Sequence, residues 1–495
     1  MELSRNRNTA RWLYALCFAI SAFVGVLFFS ETTSPLYSDW GFDSAMFQTI
    51  GKGWCEGLIP YVGLFDHKGP MIFFINAVGY AICGRTGVYI LQSLFLMAAE
   101  YLAYKLLCTQ LSKKVSLAAV LLMPLVLAAN LGEGNTTEEY IIPLLFASFY
   151  LMQRWCSAAA AGEYEHDARG AFIYGACFGF AVMTRVTNAL GVCVGVAIIV
   201  VVLIVKGRWK NLGANALTFI LGAALLIVPF CVYFAVHGAL YDMWYGTILF
   251  NLDYSAASGT EMQQGLLTRL VLFRRNIAGW CLVFAALWGA VFKKRGARMT
   301  SLFWLPIALI NTLFMYTLND YAHYGICLLP FAYIALCELF SSDIAERRVK
   351  LSHAVGIMMA VIVLISCGAK VYKEKTLVYP PQALEEYGDD YTVLLDRIPE
   401  NERDSFVAFD CPRRIYLKGN IMPAFRFFTL QQWMSTNSPA FAETIYREFD
   451  ECGVKWVMTF NLYHTPLVTS DIISEKYTLA AQSEYGLYSL YRLNE

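Results

Sequence analysis

Residues 34–70 read SPLYSDWGFDSAMFQTIGKGWCEGLIPYVGLFDHKGP. The run is dense in Gly, aromatic and ionisable residues, and it lies between two apolar blocks, Leu13 to Ser30 before it and Pro70 to Cys83 after it. A polar loop rich in aromatics, framed by apolar blocks, is what a chain shows where it leaves one membrane helix and returns to the bilayer surface. Beyond it, apolar blocks approaching the roughly 20 residues needed to cross a bilayer core continue to about residue 369. Hydrophobic residues make up 58% of the chain and charged residues 15%, against roughly 45–50% apolar and about 25% charged in soluble domains. A soluble fold could not hide that much apolar surface. The formal net charge is zero, so no charge excess points to nucleic acid or another polyelectrolyte as a partner.

Lys and Arg are retained on the cytoplasmic side of a membrane, so basic clusters orient the spans. The clusters are Arg5/Arg7/Arg11, Lys113/Lys114, Arg154, Lys206/Arg208/Lys210, Lys293/Lys294/Arg295/Arg298 and Arg347/Arg348/Lys350. Spans near 12–30, 87–107, 115–131, 140–153, 171–185, 188–205, 212–236, 276–292, 300–318, 323–340 and 352–369 put every cluster inside, about eleven crossings in all. Pro70 to Cys83 is short for a span, and counting it would turn Lys113 and Lys114 outward. It reads as a re-entrant or interfacial helix within the first outer loop, 31–86. The expected fold is therefore a polytopic α-helical membrane protein with its N-terminus in the cytoplasm.

From about Lys370 charged residues become frequent, Pro380 and Pro381 break the chain, and short apolar runs such as Ser405 to Phe409 and Lys455 to Phe460 alternate with helical segments. Residues 370–495 thus read as a small soluble α/β domain on the extracytoplasmic side, following a membrane domain of 1–369. Most of the fourteen cysteines lie in apolar blocks and act as small hydrophobes. Cys411 and Cys452 lie in the polar region and could pair. The first block reads as an uncleaved span, because no small-x-small cleavage pattern precedes Glu31.

Three outer segments collect ionisable residues. In the first, Asp39 and Asp43 stand at the bilayer edge, where they could be solvated interfacial charges; Asp43 also precedes a helical stretch, Ser44 to Gly51, that it could cap. Asp66-His67-Lys68 comes just before Gly69-Pro70, where a helix would start. A helix N-terminus beside a Lys and a His is a plausible phosphate cradle, since unpaired N–H groups and the positive dipole end add to the cations. The second segment, NLGEGNTTEEY over 130–140, holds Glu133, Glu138 and Glu139, which could serve a site or form an ordinary acidic first turn. The third runs from Asn319 through His323 and Tyr324 toward Pro330. Arg185, in MTRVTN, falls at the outer end of the 171–185 block, as a site residue or a snorkelling one. Asp410, Arg413, Arg414 and Arg426 read as surface charge on the C-terminal domain, or as acceptor recognition over a site.

These residues resemble the GT-C superfamily of membrane glycosyltransferases, and within it the branch containing bacterial protein mannosyltransferase relatives and the aminoarabinose lipid A transferase. The pattern is an acid after the first span, matched by Asp43; a G-x-x-P-Y turn, matched by Gly57-Leu58-Ile59-Pro60-Tyr61; and a D-H-K-G-P element, matched by Asp66 to Pro70. The Glu138/Glu139 pair matches the superfamily's second-loop acid, and His323, Tyr324 and Pro330 its late H-Y element. The resemblance is good over the first 150 residues and thin after 340. It implies an inverting hexosyl or pentosyl transferase that moves a sugar from a polyprenyl-phosphate donor to a glycan, lipid or protein acceptor at the outer face of the plasma membrane. It implies Asp43 as general base, with Asp39 as fallback, and partial burial would raise such a carboxyl toward the working range. Lys68, with Asp66, His67, Tyr61, Arg185, His323 and Tyr324, would bind substrate and the leaving phosphate. Glu138 and Glu139 would orient hydroxyls. The family's metal use varies and no D-x-D stands in the first loop, so no obligatory metal is expected.

Two other classes remain open on sequence. A transporter or flippase of lipid-linked sugars would place charges at mid-bilayer depth and break helices in repeated halves, whereas here the ionisable residues gather at one face. A non-catalytic scaffold would tolerate Asp43→Asn.

Overall fold

Long apolar blocks fold as helices because in lipid every backbone N–H and C=O must find its partner within the segment. The computed structural model describes residues 2–37, 41–252, 275–318, 321–373, 390–430, 439–461 and 473–494. In chain order the first helices are α1 (Glu2–Phe29), α2 (Asp43–Cys55), α3 (Pro70–Cys83), α4 (Arg85–Leu107), α5 (Lys113–Leu121), α6 (Met123–Leu131), α7 (Thr137–Ala160), α8 (Ala168–Val182), α9 (Leu190–Val205) and α10 (Trp209–Val236). They are followed by α11 (Leu240–Trp244), α12 (Ile277–Phe292), α13 (Arg298–Met315), α14 (Leu329–Leu339), α15 (Glu346–Lys373), α16 (Thr392–Leu395), α17 (Ile415–Lys418) and α18 (Pro439–Glu451). The strands are β1 (Phe406–Phe409), β2 (Trp456–Phe460), β3 (Tyr477–Gln482) and β4 (Tyr488–Leu493).

The chain is a polytopic membrane protein. Among the described residues, 8 helical stretches are long and apolar enough to cross a bilayer: Trp12–Phe29, Arg85–Leu107, Lys113–Leu131, Val186–Val205, Trp209–Val236, Arg298–Met315, Ala322–Leu339 and Glu346–Tyr372. The other blocks expected to span are helical too, but α8 and α12 are short, with 15 and 16 residues, and α7 carries Glu138, Glu139 and Arg154. The stretch over 115–131 is broken at Leu122, where Pro124 enters the first turn of α6 and cannot donate a backbone hydrogen bond to α5.

The chain divides into two units, Met1–Leu36 with Tyr89–Cys231 and Gln264–Tyr372, and Tyr37–Val88 with Val232–Gln263 and Lys373–Glu495. In the first, α8 and α10 approach backbone to backbone through small residues. A Cβ added at Gly222 of α10 would run into the Phe172 carbonyl and come 2.9 Å from the Ala176 nitrogen; one at Gly175 would strike the Phe219 carbonyl. Small residues permit this closeness where no hydrophobic force favours helix over lipid. Gly222→Val is accordingly expected to destabilise the protein by about 1–3 kcal/mol, the usual cost of overpacking, seen as a lower melting temperature in detergent; an unchanged value would mean that α8 and α10 separate freely.

In the second unit α2 lies against α3, and a Cβ at Gly51 would sit 2.7 Å from the Ala77 nitrogen. The strands form one sheet in the order β1-β2-β4-β3, with β1 and β2 parallel and the other pairs antiparallel. The two expected strand runs appear as β1 and β2. The β3–β4 hairpin was not read from sequence: β3, YTLAAQ, is mostly exposed and lacks the alternating apolar pattern that marks a half-buried strand. Phe65 of the first loop enters the aromatic core beside the sheet, with ring centroids 5.1 Å from Phe427 and 6.2 Å from Phe441. Cys411 is buried, Cys452 is exposed, and both are free thiols.

Candidate functional site

The first-loop residues are held by the second unit. Asp43 is the first residue of α2, and Phe42 occupies the cap position without a side-chain cap bond. Asp43 is therefore not the N-cap that its place before Ser44 suggested. Its carboxylate, 45% exposed, is turned to Arg413, with Oδ1 3.3 Å from Nη1. Arg413 is only 5% exposed; its guanidinium lies 3.7 Å from the centroid of the Phe42 ring, and Nη1 is 3.3 Å from the Met46 sulfur. The fallback carboxylate, Asp39, lies outside the described residues.

The Asp66-His67-Lys68 element is fixed from both ends. On one side the Phe65 N–H donates to the Arg426 carbonyl at 2.8 Å. On the other, Tyr61 is fully buried with φ 70°, a left-handed backbone that a bulky residue adopts only where its surroundings impose it. Its hydroxyl donates to the Lys68 carbonyl at 2.7 Å. The phenol expected to touch substrate is thus spent on shaping the loop. The Lys68 N–H donates to Asp66 Oδ2 at 3.0 Å, and Lys68 Nζ donates to His67 Nε2 at 2.8 Å. An ammonium can only donate, so Nε2 accepts and the ring proton belongs on Nδ1, which faces Asp66 Oδ1 at 3.4 Å. Gly69 and Pro70 follow at the start of α3. A carboxylate, an imidazole and an ammonium are thereby lined up at a helix N-terminus.

Burial pushes the His67 ring below its ordinary range, and the Lys68 ammonium pushes it further. Burial alone would raise the Asp66 carboxyl, but His67, Lys68 and Arg413 outweigh it and hold Asp66 well below the usual carboxylate range. Both groups bind a proton more readily in the unfolded chain, so stability rises with pH through each transition. His67 therefore withdraws stability as pH falls below about 6.5, and Asp66 does so below about 4. The melting temperature should fall between pH of about 7.5 and about 5, and fall less in His67→Gln; equal falls would remove His67 from the account.

The first unit gathers the second group of candidates. Thr136 and Glu139 form a capping box at the start of α7, the Thr136 N–H donating to Glu139 Oε2 at 2.7 Å. Gln92 Nε2 donates to the other oxygen at 2.6 Å. Glu139 thus serves the helix start. Glu138, 2% exposed, pairs with Arg185 at 2.9 Å and accepts from Thr137 Oγ1 at 2.9 Å. Arg185 stands past the end of α8, in an extended conformation before the turn Val186–Ala189, so it is a turn residue and not part of the span expected at 171–185. Its guanidinium lies 3.6 Å from the Tyr324 ring centroid. His323 stands edge-on to Tyr324 at 4.7 Å and acts electrostatically on Glu138. Glu138, Arg185, His323 and Tyr324 are brought together from three separate stretches of chain.

Several partnerships escaped the sequence reading. Arg413 and Arg426, read first as surface charge, are structural to the loop: Arg426 forms a bidentate pair with Glu448 and donates to the Tyr61 carbonyl at 3.2 Å. Glu100 of α4 is buried within a span, where Ser21 Oγ donates to it at 2.7 Å. Lys293, counted among the topogenic charges, is buried against Glu338 at 2.8 Å. No local pattern could have announced these partners, since Arg413 and Asp43 are 370 positions apart. Among the described residues no three His, Cys, Asp or Glu side chains converge as a metal set.

Residues 6–365 match the family described as "Putative competence-induced protein Ccs4 N-terminal domain". The chain belongs to that family. The Ccs4-type segment holds Asp43, the Asp66-His67-Lys68 element, Glu138, Arg185, His323 and Tyr324, while Arg413, Arg426 and the sheet lie beyond it. No curated protein sequence matches the chain. Among solved structures, the chain is similar to the Archaeoglobus fulgidus oligosaccharyltransferase in complex with Zn and sulfate, at a TM-score of 0.43 and 14% identity over 90% of this chain and 68% of that one. It is likewise similar to the archaeal oligosaccharyltransferase AglB from Archaeoglobus fulgidus in complex with an inhibitory peptide and a dolichol-phosphate, at 0.45 and 12% over 98% and 75%. The protein mannosyltransferase and lipid A transferase branch rests on the first-loop motifs alone.

Proposed function

We propose that this chain is a GT-C-type membrane glycosyltransferase that moves a sugar from a polyprenyl-phosphate donor to a glycan, lipid or protein acceptor on the extracytoplasmic face of the plasma membrane. The reading is carried by one juxtaposition: the half-exposed Asp43 carboxylate and the Asp66-His67-Lys68 element belong to one unit, with Asp43 close enough to act electrostatically on His67. Asp43 takes the acceptor's proton as the acceptor attacks the anomeric carbon. The bond from that carbon to the phosphate oxygen breaks, and the charge left on the phosphate is met by Lys68 and the N-terminal end of α3. Asp66 accepts from the Lys68 backbone N–H and His67 from its ammonium, which holds Lys68 in place; Glu138, Arg185, His323 and Tyr324 form a polar cluster of the first unit that we assign to binding sugar or phosphate oxygens. About eleven crossings would set the C-terminal segment, 370–495, outside as an α/β domain.

The test is incubation of the purified protein in lipid with radiolabelled polyprenyl-phosphate sugars, following which acceptor pool gains label. No covalent transfer to any glycan, lipid or protein pool would overturn the reading. One observation favours the transporter alternative, the buried Glu100 within α4, because intramembrane charge often marks a pathway. Label crossing to the other leaflet without covalent transfer would select it.

A further inference from the structure

We infer that Arg413 is a positioning residue for the Asp43 base, so that the chain beyond the matched family segment helps to complete a site whose Asp43 and Asp66-His67-Lys68 lie within that segment. This inference rests on the glycosyltransferase reading above. Three observations carry it. Arg413 pairs with one oxygen of Asp43, Oδ1, at 3.3 Å, and no hydrogen bond to Oδ2 is present among the described residues, which leaves that oxygen presented for a proton. The guanidinium is itself immobilised: it is 5% exposed, stacked 3.7 Å from the Phe42 centroid and in contact with the Met46 sulfur. Phe42, Asp43 and Met46 belong to the start of one helix, so a single cation fixes both the turn that enters α2 and the carboxylate on it. The family match ends at residue 365, well before this arginine.

An arginine suits the task because its planar fork binds a carboxylate and stacks on a ring at the same time, whereas a lysine ammonium is a compact point charge with no plane to stack. Such a residue acts through Asp43 and not on the substrate. Its loss should therefore slow the step that needs the base and leave donor binding alone. A carboxylate displaced by about 1 Å can cost about 100-fold in rate.

The experiment compares wild type, Arg413→Ala, Arg413→Lys, Asp43→Asn and the Asp43→Asn/Arg413→Ala double variant, purified in lipid and given the radiolabelled polyprenyl-phosphate sugar that wild type uses. The expected result is a fall in kcat of about 100-fold for Arg413→Ala, with donor KM within about twofold and partial recovery when methylguanidinium is added. Arg413→Lys should recover little. Because the role runs through Asp43, the double variant should be no slower than Asp43→Asn alone. A raised donor KM with kcat unchanged would make Arg413 a phosphate ligand and overturn the inference. So would a double variant slower than Asp43→Asn, or an Arg413→Ala protein that merely melts at lower temperature while its folded fraction turns over normally. In these outcomes wild type still transfers sugar and the glycosyltransferase reading stands. If wild type transfers nothing, that reading falls and takes this one with it.

Discussion

Asp43→Asn is expected to lower sugar transfer by about 10²- to 10⁴-fold, the range that a positioned general base contributes. The substitution keeps the shape of the side chain and removes its ability to take a proton. It should barely disturb the fold, because the carboxylate is 45% exposed and its ion pair with Arg413 spans 3.3 Å. The two measurements belong together: transfer of radiolabel from a polyprenyl-phosphate sugar, and the melting temperature of the same preparation. Loss of transfer with melting retained assigns the base. Transfer at wild-type level would show that Asp43 is not the base and move attention to Asp39.

Lys293→Met is expected to destabilise the protein by about 3–5 kcal/mol, the cost of leaving one partner of a buried ion pair uncompensated. Lys293 and Glu338 are 2% and 0% exposed, with Nζ and Oε2 2.8 Å apart. Lys293 Nζ also donates to Thr300 Oγ1 at 2.9 Å, and Ser301 donates to Glu338. The pair ties the end of α12 to α14, alongside the Lys294 N–H bond to the Asp343 carbonyl at 2.9 Å. Replacing both charges, as Lys293→Met with Glu338→Leu, should recover most of the loss, since apolar replacements of a buried pair are often neutral. Recovery should stop short of complete, because Ser301 loses its acceptor and Thr300 loses the Lys293 donor while keeping its bond to the Ala297 carbonyl. Denaturant titration in detergent micelles measures both; a single variant as stable as wild type would show that the pair contributes nothing.

The candidate site was legible in unequal parts. Asp43, Asp66, His67 and Lys68 could be named because they fall within one loop whose composition is unusual for the edge of a bilayer. The ordering of that loop could not be named. It depends on Phe65 packed against Phe427 and Phe441, on Arg426 reaching the Tyr61 carbonyl, and on Tyr61 in a left-handed backbone conformation. Glu138 and Glu139 looked alike in sequence, yet one pairs with Arg185 and the other closes a capping box. Adjacent residues on a helix point about 100° apart, so neighbours in sequence meet different surroundings.

The amino-acid sequence by itself determined that the chain is a polytopic helical membrane protein, where its apolar blocks lie and where its polar loops begin. Those are properties of segments: a block either is or is not long and apolar enough to satisfy its backbone in lipid. Only the tertiary structure decided which charges are partners. Lys293 looked topogenic and is buried against Glu338; Arg413 looked like surface charge and holds Asp43. An ion pair depends on distance in space and on shielding from water, and neither is written in the spacing of residues along the chain.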